Sequence, residues 1–299
     1  MAKRCVAIFG GTGFLGRRIA AVAAGADWDV RVAVRLPRPD LWIGQAVQPE
    51  QTPVDIREAE QVRRAVDGAA AVVNAVSLYV ETRTDSFESV HVSGAANVAR
   101  AAARCEAGLV HLSGIGVDPE SPSKYVRART VGEQRTHEAC SHSVILRPSA
   151  MFGPDDAFLS AMTQMIRWLP LIPLFGRGVT RVQPVHVDDV ARAVVNALDR
   201  DEARGRVFEL GGPEVFTYRK LVRTLCERLG RRRLLVPVPF VLWNAIATMV
   251  SILPNPPLTR DQIELVRRDN VAQSPGFAEL GIEKDSLRRI GDAVASGRP

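Results

Sequence analysis

The sequence predicts an α/β fold, in which a doubly wound parallel sheet is joined to a smaller, mostly helical C-terminal lobe. Through residues 1–150, short apolar strands alternate with amphipathic helices, a pattern typical of a parallel sheet covered on both faces. A glycine-rich turn links the first strand to the first helix. Beyond residue 150 the helices are broken by Pro and Gly, so we assign residues 151–299 to the lobe, with return crossings to the sheet.

The individual elements follow from the periodicity of apolar residues. In the first half we predict strands at 4–10, 29–35, 52–56, 70–76, 108–114 and 142–149, and helices at 15–25, 57–68, 86–105 and 121–139. Right-handed crossovers between these strands place helices on both faces of the sheet. In the lobe, helices are predicted at 217–230 and 240–252.

The composition allows a large core and excludes several functional classes. Of 299 residues, 46% are hydrophobic, which suits one large α/β domain with an appended lobe. No apolar run is long enough for a spanning helix and no export signal is visible, so we expect a cytoplasmic protein. The four cysteines are scattered and are predicted to be reduced, buried thiols. The five histidines lack metal-ligand spacing, so no metal site is expected.

The net charge of +6 comes mostly from arginine. Two explanations of this positive charge remain: a compositional bias toward Arg, or a function in attracting phosphates or an anionic membrane face. Nucleic acid is not expected as a partner, because the arginines are dispersed and few aromatic residues accompany them.

The stretch VAIFGGTGFLGRRIA, residues 6–20, predicts a Rossmann-type dinucleotide site. Its glycines fit Gly11-x-Gly13-x-x-Gly16 and Gly10-x-x-Gly13-x-x-Gly16, between a strand and a helix. Glycines permit a sharp turn close to a ligand, and the helix start offers unpaired N–H groups and a positive dipole end to a pyrophosphate. The alternative is a plain strand-to-helix turn. The residues assigned to this contact are Gly10, Thr12, Gly13, Phe14, Leu15, Gly16 and Arg17.

Arg35, at the end of strand two, favours NADP(H) over NAD(H). An acid about 20 residues after the glycines favours the free 2′-hydroxyl of NAD, whereas an Arg accommodates a 2′-phosphate. Arg38 is nearby, and no Asp or Glu stands at that strand end. The alternative is a solvated surface arginine in an Arg-rich chain.

Four further residues complete the predicted cofactor site. Asp55 can accept a hydrogen bond from the adenine amino group while Ile56 packs against the ring; the alternative for Asp55 is a helix N-cap. Ala75 and Val76 follow strand four at the carboxyl edge of the sheet, where ligands bind. Pro148 is assigned to the same site.

Ser113, Tyr125 and Arg129 form the predicted reaction centre. Ser113 ends strand five, and the i, i+4 spacing puts Tyr125 and Arg129 on one face of the next helix. A tyrosine beside a cation can act as a general acid toward a carbonyl oxygen, because the cation lowers the phenol pKa, and serine can orient that oxygen. The alternatives are that Ser113 caps the following turn and that Tyr125 only packs.

His186, Asp188 and Asp189 invite comparison with a charge relay, but the sequence contains no nucleophile elbow. We expect His186 to order a strand-to-helix junction, and Asp188 or Asp189 to cap the helix that follows.

The glycine motif, Asp55-Ile56, Ser113 and Tyr125 together resemble the short-chain dehydrogenase/reductase superfamily, and RPSAMFGP and VQPVHVDDVA resemble its extended and atypical branches. The arrangement is most similar to the nucleotide-binding accessory subunit of respiratory complex I (alpha-subcomplex subunit nine) and its bacterial relatives. The resemblance covers nearly the whole chain, and ELGGPEVFTYRKL and LPNPPLTRDQIELVRRDN are its branch-specific parts. It implies a Rossmann domain holding NADP(H), often as a structural cofactor, and association with quinone biology at a membrane surface.

One position departs from the superfamily, whose active site is Tyr-x-x-x-Lys. Here the lysine is replaced by Arg129, and the exchange is not conservative, because Arg is bulkier, planar and always charged. The resemblance therefore implies retained cofactor binding and argues against rapid hydride transfer.

Three functions remain open at this stage. The first is an accessory or assembly factor linked to complex I or ubiquinone biosynthesis, with respiratory or quinone-biosynthesis proteins as partners. The second is an active NAD(P)H-dependent oxidoreductase or epimerase acting on a small carbonyl or quinone-type substrate. The third is a redox sensor that binds the cofactor and signals through a partner.

The segment 231–252 predicts a peripheral contact at the inner face of the membrane. Three arginines, 231–233, precede an apolar helix at 240–252 that is too short to span a bilayer. A basic cluster beside an apolar helix is typical of an interfacial anchor. The alternative is a helix buried in the lobe above the substrate cleft, in which case Trp243 would pack against a sheet.

Overall fold

Seven parallel strands form the central sheet of this protein, seen in a computed structural model that describes residues 3–42, 47–251, 253 and 258–291. The strands, in chain order, are β1 (Arg4–Phe9), β2 (Trp28–Val34), β3 (Glu50–Pro53), β4 (Ala71–Asn74), β5 (Gly108–Leu112), β6 (Val144–Pro148), β7 (Met151–Phe152), β8 (Leu171–Phe175), β9 (Arg181–Val182), β10 (Val185–His186), β11 (Val207–Leu210), β12 (Phe216–Thr217) and β13 (Leu234–Val238). The helices are α1 (Phe14–Gly25), α2 (Ala59–Val66), α3 (Ala95–Arg104), α4 (Lys124–Ala139), α5 (Ala157–Trp168), α6 (Val187–Leu198), α7 (Tyr218–Arg228), α8 (Phe240–Val250), α9 (Arg260–Arg267) and α10 (Gly276–Glu279). A π-helical segment, Glu88–Gly94, leads into α3, and short 3-10 turns lie at Pro39–Trp42, Asp201–Ala203 and Lys284–Ser286.

The strand order is β11-β6-β5-β4-β1-β2-β3, and every neighbouring pair is parallel. The chain therefore reverses its direction across the sheet between β1 and β4, which is where such sheets bind ligands beyond their carboxyl ends. The fold class predicted from the sequence is confirmed.

The core has two layers because side chains alternate between the faces of each strand. In β1, Val6 and Ile8 pack in the cluster that contains α1 and α6, whereas Ala7 and Phe9 pack in the cluster that contains α2 and α3. All four side chains are almost fully buried, and burying a side chain such as Ile8 contributes about 2 kcal/mol.

Two predicted elements and one prediction about cysteines differ from the structure. The third strand was expected at 52–56, but β3 ends at Pro53, because the Asp55 side chain accepts from the backbone N–H of Arg57 and closes a turn there. The helix expected at 86–105 begins with a π-helical segment rather than α-helix. Cys140 and Cys226 are buried as predicted, whereas Cys105 is exposed at the C-terminal end of α3 and Cys5 is half-buried, so the prediction was wrong for these two.

The second half of the chain contributes β11 to the central sheet and builds a lobe around the parallel pair β8 and β13. Side chains of α5, β8 and α7, including Ile166, Leu174 and Leu221, form the core of this lobe. The division of the chain at residue 150 stays a prediction. No helix in the described ranges is long and apolar enough to cross a membrane.

Candidate functional site

The glycine-rich turn packs too tightly to accept side chains at two positions. A Cβ on Gly16 would overlap the carbonyl oxygen of Gly10, and a Cβ on Gly11 would lie 2.6 Å from a methyl carbon of Val32. Gly10 has a φ of +78° and lies against Ala75, whose carbonyl oxygen would be 2.9 Å from an added Cβ. These contacts hold the start of α1 at the carboxyl edge of the sheet, next to Ala75 and Val76.

The N-terminus of α1 is arranged to receive an anion. Gly13 is its N-cap, and within the described part of the chain no side chain caps it. The first turn contains no Asp or Glu, so its N–H groups and positive dipole end are not neutralised. Gly13 is exposed, Thr12 and Phe14 are half-buried, and Leu15 belongs to the core.

Arg17 lies one turn further along α1. Its Nη2 is 3.2 Å from a carboxylate oxygen of Asp155, and its buried Nε has no hydrogen-bond partner among the residues described. A buried unpaired N–H is costly, so this group is suited to an acceptor on a ligand.

A pocket at the ends of β2 and β3 brings together two predicted site residues, Arg35 and Asp55. It is lined by Arg35, Thr52, Pro53, Val54, Asp55, Gln61 and Arg64. Arg35 Nη1 donates to buried Asp85 at 2.8 Å, and its side chain stays 57% exposed. Arg64 has no ion-pair partner among the residues described, whereas Arg38 is held by Asp40 outside this pocket.

Asp55 is paired with Arg57 rather than unpaired. Arg57 donates to both carboxylate oxygens, at 2.9 and 2.5 Å, and these hydrogen bonds hold the pKa of Asp55 below its usual value. The N-cap of α2 is Glu58, so the alternative of Asp55 as that cap is excluded. Ile56 is buried in the core against Gly94.

Ser113 lies where β5 leaves the sheet. Its N–H donates to the carbonyl of Leu146, and Ile115 N–H donates to the carbonyl of Pro148, so Ser113 and Pro148 share this part of the edge. The Ser113 hydroxyl is buried and has no partner in the described structure. The alternative that this hydroxyl caps the following turn is therefore excluded, and the hydroxyl can bond to a ligand.

Tyr125 and Arg129 meet as the i, i+4 spacing predicted. Arg129 Nη1 donates to the Tyr125 hydroxyl at 2.9 Å, and the guanidinium carbon lies 5.2 Å from the ring centroid. A Cβ on Gly114 would be 2.5 Å from the guanidinium, so the absence of a side chain there makes room for Arg129. Among the residues described, Arg129 has no carboxylate partner.

The expected lowering of the Tyr125 pKa is outweighed by burial. Tyr125 is 2% exposed, with Tyr79, Phe87 and His91 around its ring at centroid distances of 5.4–5.6 Å. Burial raises the pKa of Tyr125 to about 12, although Arg129 acts in the opposite direction. The phenol is therefore protonated at neutral pH. Arg129 donates to its oxygen, and the Ser77 side chain also hydrogen-bonds the hydroxyl.

Two buried histidines adjoin this centre, and the sequence pattern did not indicate either. His91 Nε2 contacts the backbone of Leu78, and His111 Nδ1 is 3.2 Å from the Asn74 amide. Burial lowers the pKa of each to about 4, so both are neutral at pH 7.

Local contacts explain the position of α4, the helix that carries Tyr125. Ser123 is its N-cap, accepting from Val126 N–H, and the Ser123 hydroxyl donates to Asp261 of α9 at 2.5 Å. A Cβ on Gly132 would overlap the carbonyl oxygen of His91, so a glycine is needed where α4 crosses the π-helical segment.

The histidine at the start of α6 has a structural role. His186 orders this junction as predicted, because its Nδ1 accepts from Asp188 N–H as the N-cap. The prediction that Asp188 or Asp189 is the cap was wrong: Asp188 pairs with Arg18 and Arg288, and buried Asp189 pairs with Arg192. No group of three or more His, Cys, Asp or Glu side chains in the described residues could hold a metal ion.

Comparison with known proteins gives consistent results. The family model "NAD dependent epimerase/dehydratase family" matches residues 6–211. NADH dehydrogenase (ubiquinone) 1 alpha subcomplex subunit 9 of Mus musculus is 30% identical over 293 residues, covering 94% of this chain and 76% of its own length. A ceramide reductase of Caulobacter vibrioides is 28% identical, with 86% and 81% covered. The solved structure of a nucleoside-diphosphate-sugar epimerase from Staphylococcus aureus has a TM-score of 0.77 at 16% identity, with 97% and 99% covered, which concerns the fold. The resemblance stated from the sequence is confirmed.

The neutral histidines predict a loss of stability in mild acid. The unfolded chain takes up protons near pH 6.5 whereas folded His111 does so near 4, so the free energy of unfolding falls as pH falls through this interval. Between about pH 7.5 and about pH 5, His111 accounts for about 2 kcal/mol. We expect urea titrations at both pH values to show that His111→Gln loses about 2 kcal/mol of the pH dependence of the free energy of unfolding. His137→Gln, at an exposed position, is the control and should keep the full pH dependence. Equal pH dependence in the two variants would contradict this.

Proposed function

We propose, from the premise that the chain belongs to the NAD dependent epimerase/dehydratase family, that it binds NADP(H) and acts mainly as an accessory protein. The partner machinery is respiratory complex I or the enzymes of ubiquinone biosynthesis. A relative named as a complex I subunit, matched over 94% of this chain, supports that choice.

The residues present fit a bound dinucleotide. The glycine turn and the uncapped start of α1 suit the pyrophosphate, with Gly10, Thr12, Gly13 and Gly16 forming the turn. Two buried polar atoms without partners among the described residues, Ser113 Oγ and Arg17 Nε, lie on the elements that bound this edge. When bound, the cofactor would supply hydride chemistry at the end of the site near Tyr125.

The preference for NADP(H) rests on the pocket beside β2. Arg35 keeps part of its guanidinium exposed while Asp85 fixes its position, and Arg64 lies in the same pocket. Two guanidinium groups there suit a 2′-phosphate, and no acid takes the place that reads a free 2′-hydroxyl.

The accessory role rests on one observation: Arg129, where the superfamily has lysine, donates its hydrogen bond to a Tyr125 that is almost fully buried. In this arrangement the guanidinium holds the phenol oxygen and fills the space above Gly114. An arginine cannot replace the compact charge of lysine at this place without changing the geometry of proton transfer.

An anionic membrane surface is the proposed docking site of the lobe. Residues 157–187 and 215–260 contain eleven Lys and Arg and one Glu, although the whole chain has a net charge of only +6. Large apolar side chains are exposed on the same lobe: Trp168, Leu169, Leu171, Leu234, Val241, Leu242 and Met249. Arg181 pairs with Asp269, and the other ten cations have no carboxylate partner among the described residues. Exposed apolar groups beside such cations are suited to a bilayer of anionic lipid.

Helix α8 has features of both alternatives for segment 231–252, the interfacial anchor and the helix buried in the lobe. Trp243 packs against β8, as the alternative of a buried helix predicted: its ring centroid is 4.5 Å from that of Phe175, and its Nε1 donates to the carbonyl of Leu174. The opposite face, with Val241, Leu242 and Met249, is exposed. Ile252, the last residue of the predicted segment, lies outside the described residues.

A second candidate function is an active NAD(P)H-dependent oxidoreductase. Ser113 follows β5, and Tyr125 on α4 bonds to an Arg129 that lies against Gly114, the residue after Ser113; one relative is named a ceramide reductase. Measuring whether the protein oxidises NADPH separates the accessory function from the enzymatic one.

We expect the protein purified without added nucleotide to release NADP(H) on denaturation, identified by mass spectrometry, and to leave added NADPH unoxidised in the presence of quinones and small carbonyls. Arg129→Lys is expected to raise NADPH oxidation about tenfold or more over this background, because it restores the compact charge. Arg135→Lys, exposed on the same helix, is the matched control and should leave it unchanged.

Turnover by the unaltered protein at about 1 per second or faster would refute the accessory role and support the second candidate. No bound nucleotide and no measurable affinity would refute the cofactor proposal itself.

For cofactor choice, Arg35→Ala is expected to weaken NADPH binding about 10- to 100-fold, the effect of losing a hydrogen bond to a charged group, and to change NADH binding much less. Arg38→Ala is the control, since this arginine is equally exposed but held by Asp40. Titration calorimetry with both nucleotides measures the difference, and an equal loss for NADPH and NADH would contradict the 2′-phosphate assignment.

For membrane docking, we expect the full chain to sediment with vesicles containing phosphatidylglycerol and not with pure phosphatidylcholine. The double variant Arg231→Gln/Arg232→Gln should weaken binding about 10- to 30-fold, at about 1 kcal/mol per arginine. Leu242→Asp/Met249→Asp should abolish it. Leu36→Asp is the matched control, because Leu36 is 78% exposed and follows β2, outside the lobe. Equal loss in this control would contradict docking through the lobe.

A further inference from the structure

We propose that Tyr79 is the residue that excludes a second reactant from the hydroxyl of Tyr125. The two rings are stacked, with 5.6 Å between their centroids and 29° between their planes. Tyr79 is 57% exposed, whereas Tyr125 beneath it is 2% exposed. A solvent-exposed ring that lies on a buried one covers it.

The other sides of Tyr125 are closed by groups fixed within the fold. Phe87 and His91 meet its ring edge-on, at 5.5 and 5.4 Å, and both are themselves buried. Arg129 lies over the ring and bonds to the hydroxyl. Tyr79 is thus the exposed ring of the group that encloses Tyr125, and the exposed Ser77, two residues earlier, hydrogen-bonds the Tyr125 hydroxyl.

Leu78, the residue before Tyr79, is held by a hydrogen bond to His91. His91 Nε2 lies 2.9 Å from the carbonyl oxygen of Leu78 and 3.2 Å from its N, and the tautomer decides which of the two it bonds. Either bond fixes the backbone one residue before Tyr79. The segment 75–79 also runs from the glycine turn to Tyr125, so Tyr79 stands at the end of the cofactor edge.

The consequence is that a carbonyl compound would have to displace Tyr79 to reach the phenol. The inference rests on the proposed function in taking Tyr125 as the reacting end of the site. It adds a second reason, independent of Arg129, for a reduced cofactor to stay unoxidised.

The chain contains three tyrosines, 79, 125 and 218, which permits a direct test. Nucleotide-free full-length protein is treated with N-acetylimidazole, and acetylated tyrosines are quantified by peptide mass spectrometry. In the unaltered protein we expect Tyr79 to be acetylated and Tyr125 to be protected. Tyr79→Ala should raise acetylation of Tyr125 about tenfold or more, whereas Tyr79→Phe, which keeps the ring, should leave Tyr125 protected.

Tyr218 supplies the control for folding, because it is 7% exposed and lies in the core of the lobe, so its acetylation would report unfolding. Samples with Tyr218 protected decide the matter. Tyr125 acetylated in the unaltered protein, or still protected in Tyr79→Ala, would overturn the inference. Because no nucleotide is used, either result leaves the test of cofactor binding and turnover unaffected.

Discussion

The contact between Gly16 and the carbonyl of Gly10 is the constraint on which the candidate site depends. No side chain fits between them, so α1 begins directly at the carboxyl edge of β1 and its free N–H groups face that edge. The same turn presses Gly10 against Ala75, which sets the course of the segment that ends at Tyr79. A Cβ at Gly16 would have to move the helix away from the strand, because the opposing atom is backbone and cannot change rotamer.

The two ends of the site differ in how their charges are balanced. Around β2 and β3, Asp85 contacts both Arg35 and Arg57, and Asp55 pairs with Arg57, so these two arginines are fixed by carboxylates. At the other end, Arg129 has no carboxylate partner in the described ranges, and its charge adds to the burial that keeps His91 and His111 neutral. Arginines that are already fixed, such as Arg35 and Arg57, lose less conformational entropy when a ligand binds. Arg129, whose charge is not balanced, favours a ligand oxygen that carries negative charge.

Features encoded within a few residues could be predicted from the sequence, and those that depend on distant partners could not. The apolar runs of β1, β4, β5 and β6, the glycine turn and the i, i+4 pair of Tyr125 and Arg129 are all local, and the structure contains each of them. The end of β3 is the exception, a local feature that was predicted wrongly because a side-chain turn at Asp55 competes with strand pairing. The partner of Arg35 is 50 residues away, and nothing near Arg35 indicates it.

The predicted reaction centre shows the same division. The pairing of Tyr125 with Arg129 was predicted from their spacing, but the enclosing rings come from two other segments: Tyr79 follows β4, and Phe87 and His91 belong to the π-helical segment and its cap. Tyr79 was not predicted as part of the site; it stacks on Tyr125, and His91 of the π-helical segment contacts the backbone of Leu78 beside it. The direction of the Tyr125 pKa could not be read from the adjacent cation either, because it depends on burial by these distant rings.

The hydrogen bond between Ser123 and Asp261 makes the exposed helix of the lobe and the tyrosine helix parts of one mechanical unit. Asp261 belongs to α9, which also holds α8 through Arg260 at the Thr248 hydroxyl and through Arg267 over the ring of Phe240. If α8 is pulled outward by whatever surface it contacts, either these two contacts break or α9 travels with it. If α9 moves with α8, Ser123 loses its hydrogen-bond acceptor, Asp261. Because Ser123 caps α4 two residues before Tyr125, a force on the lobe then reaches the first turn of α4.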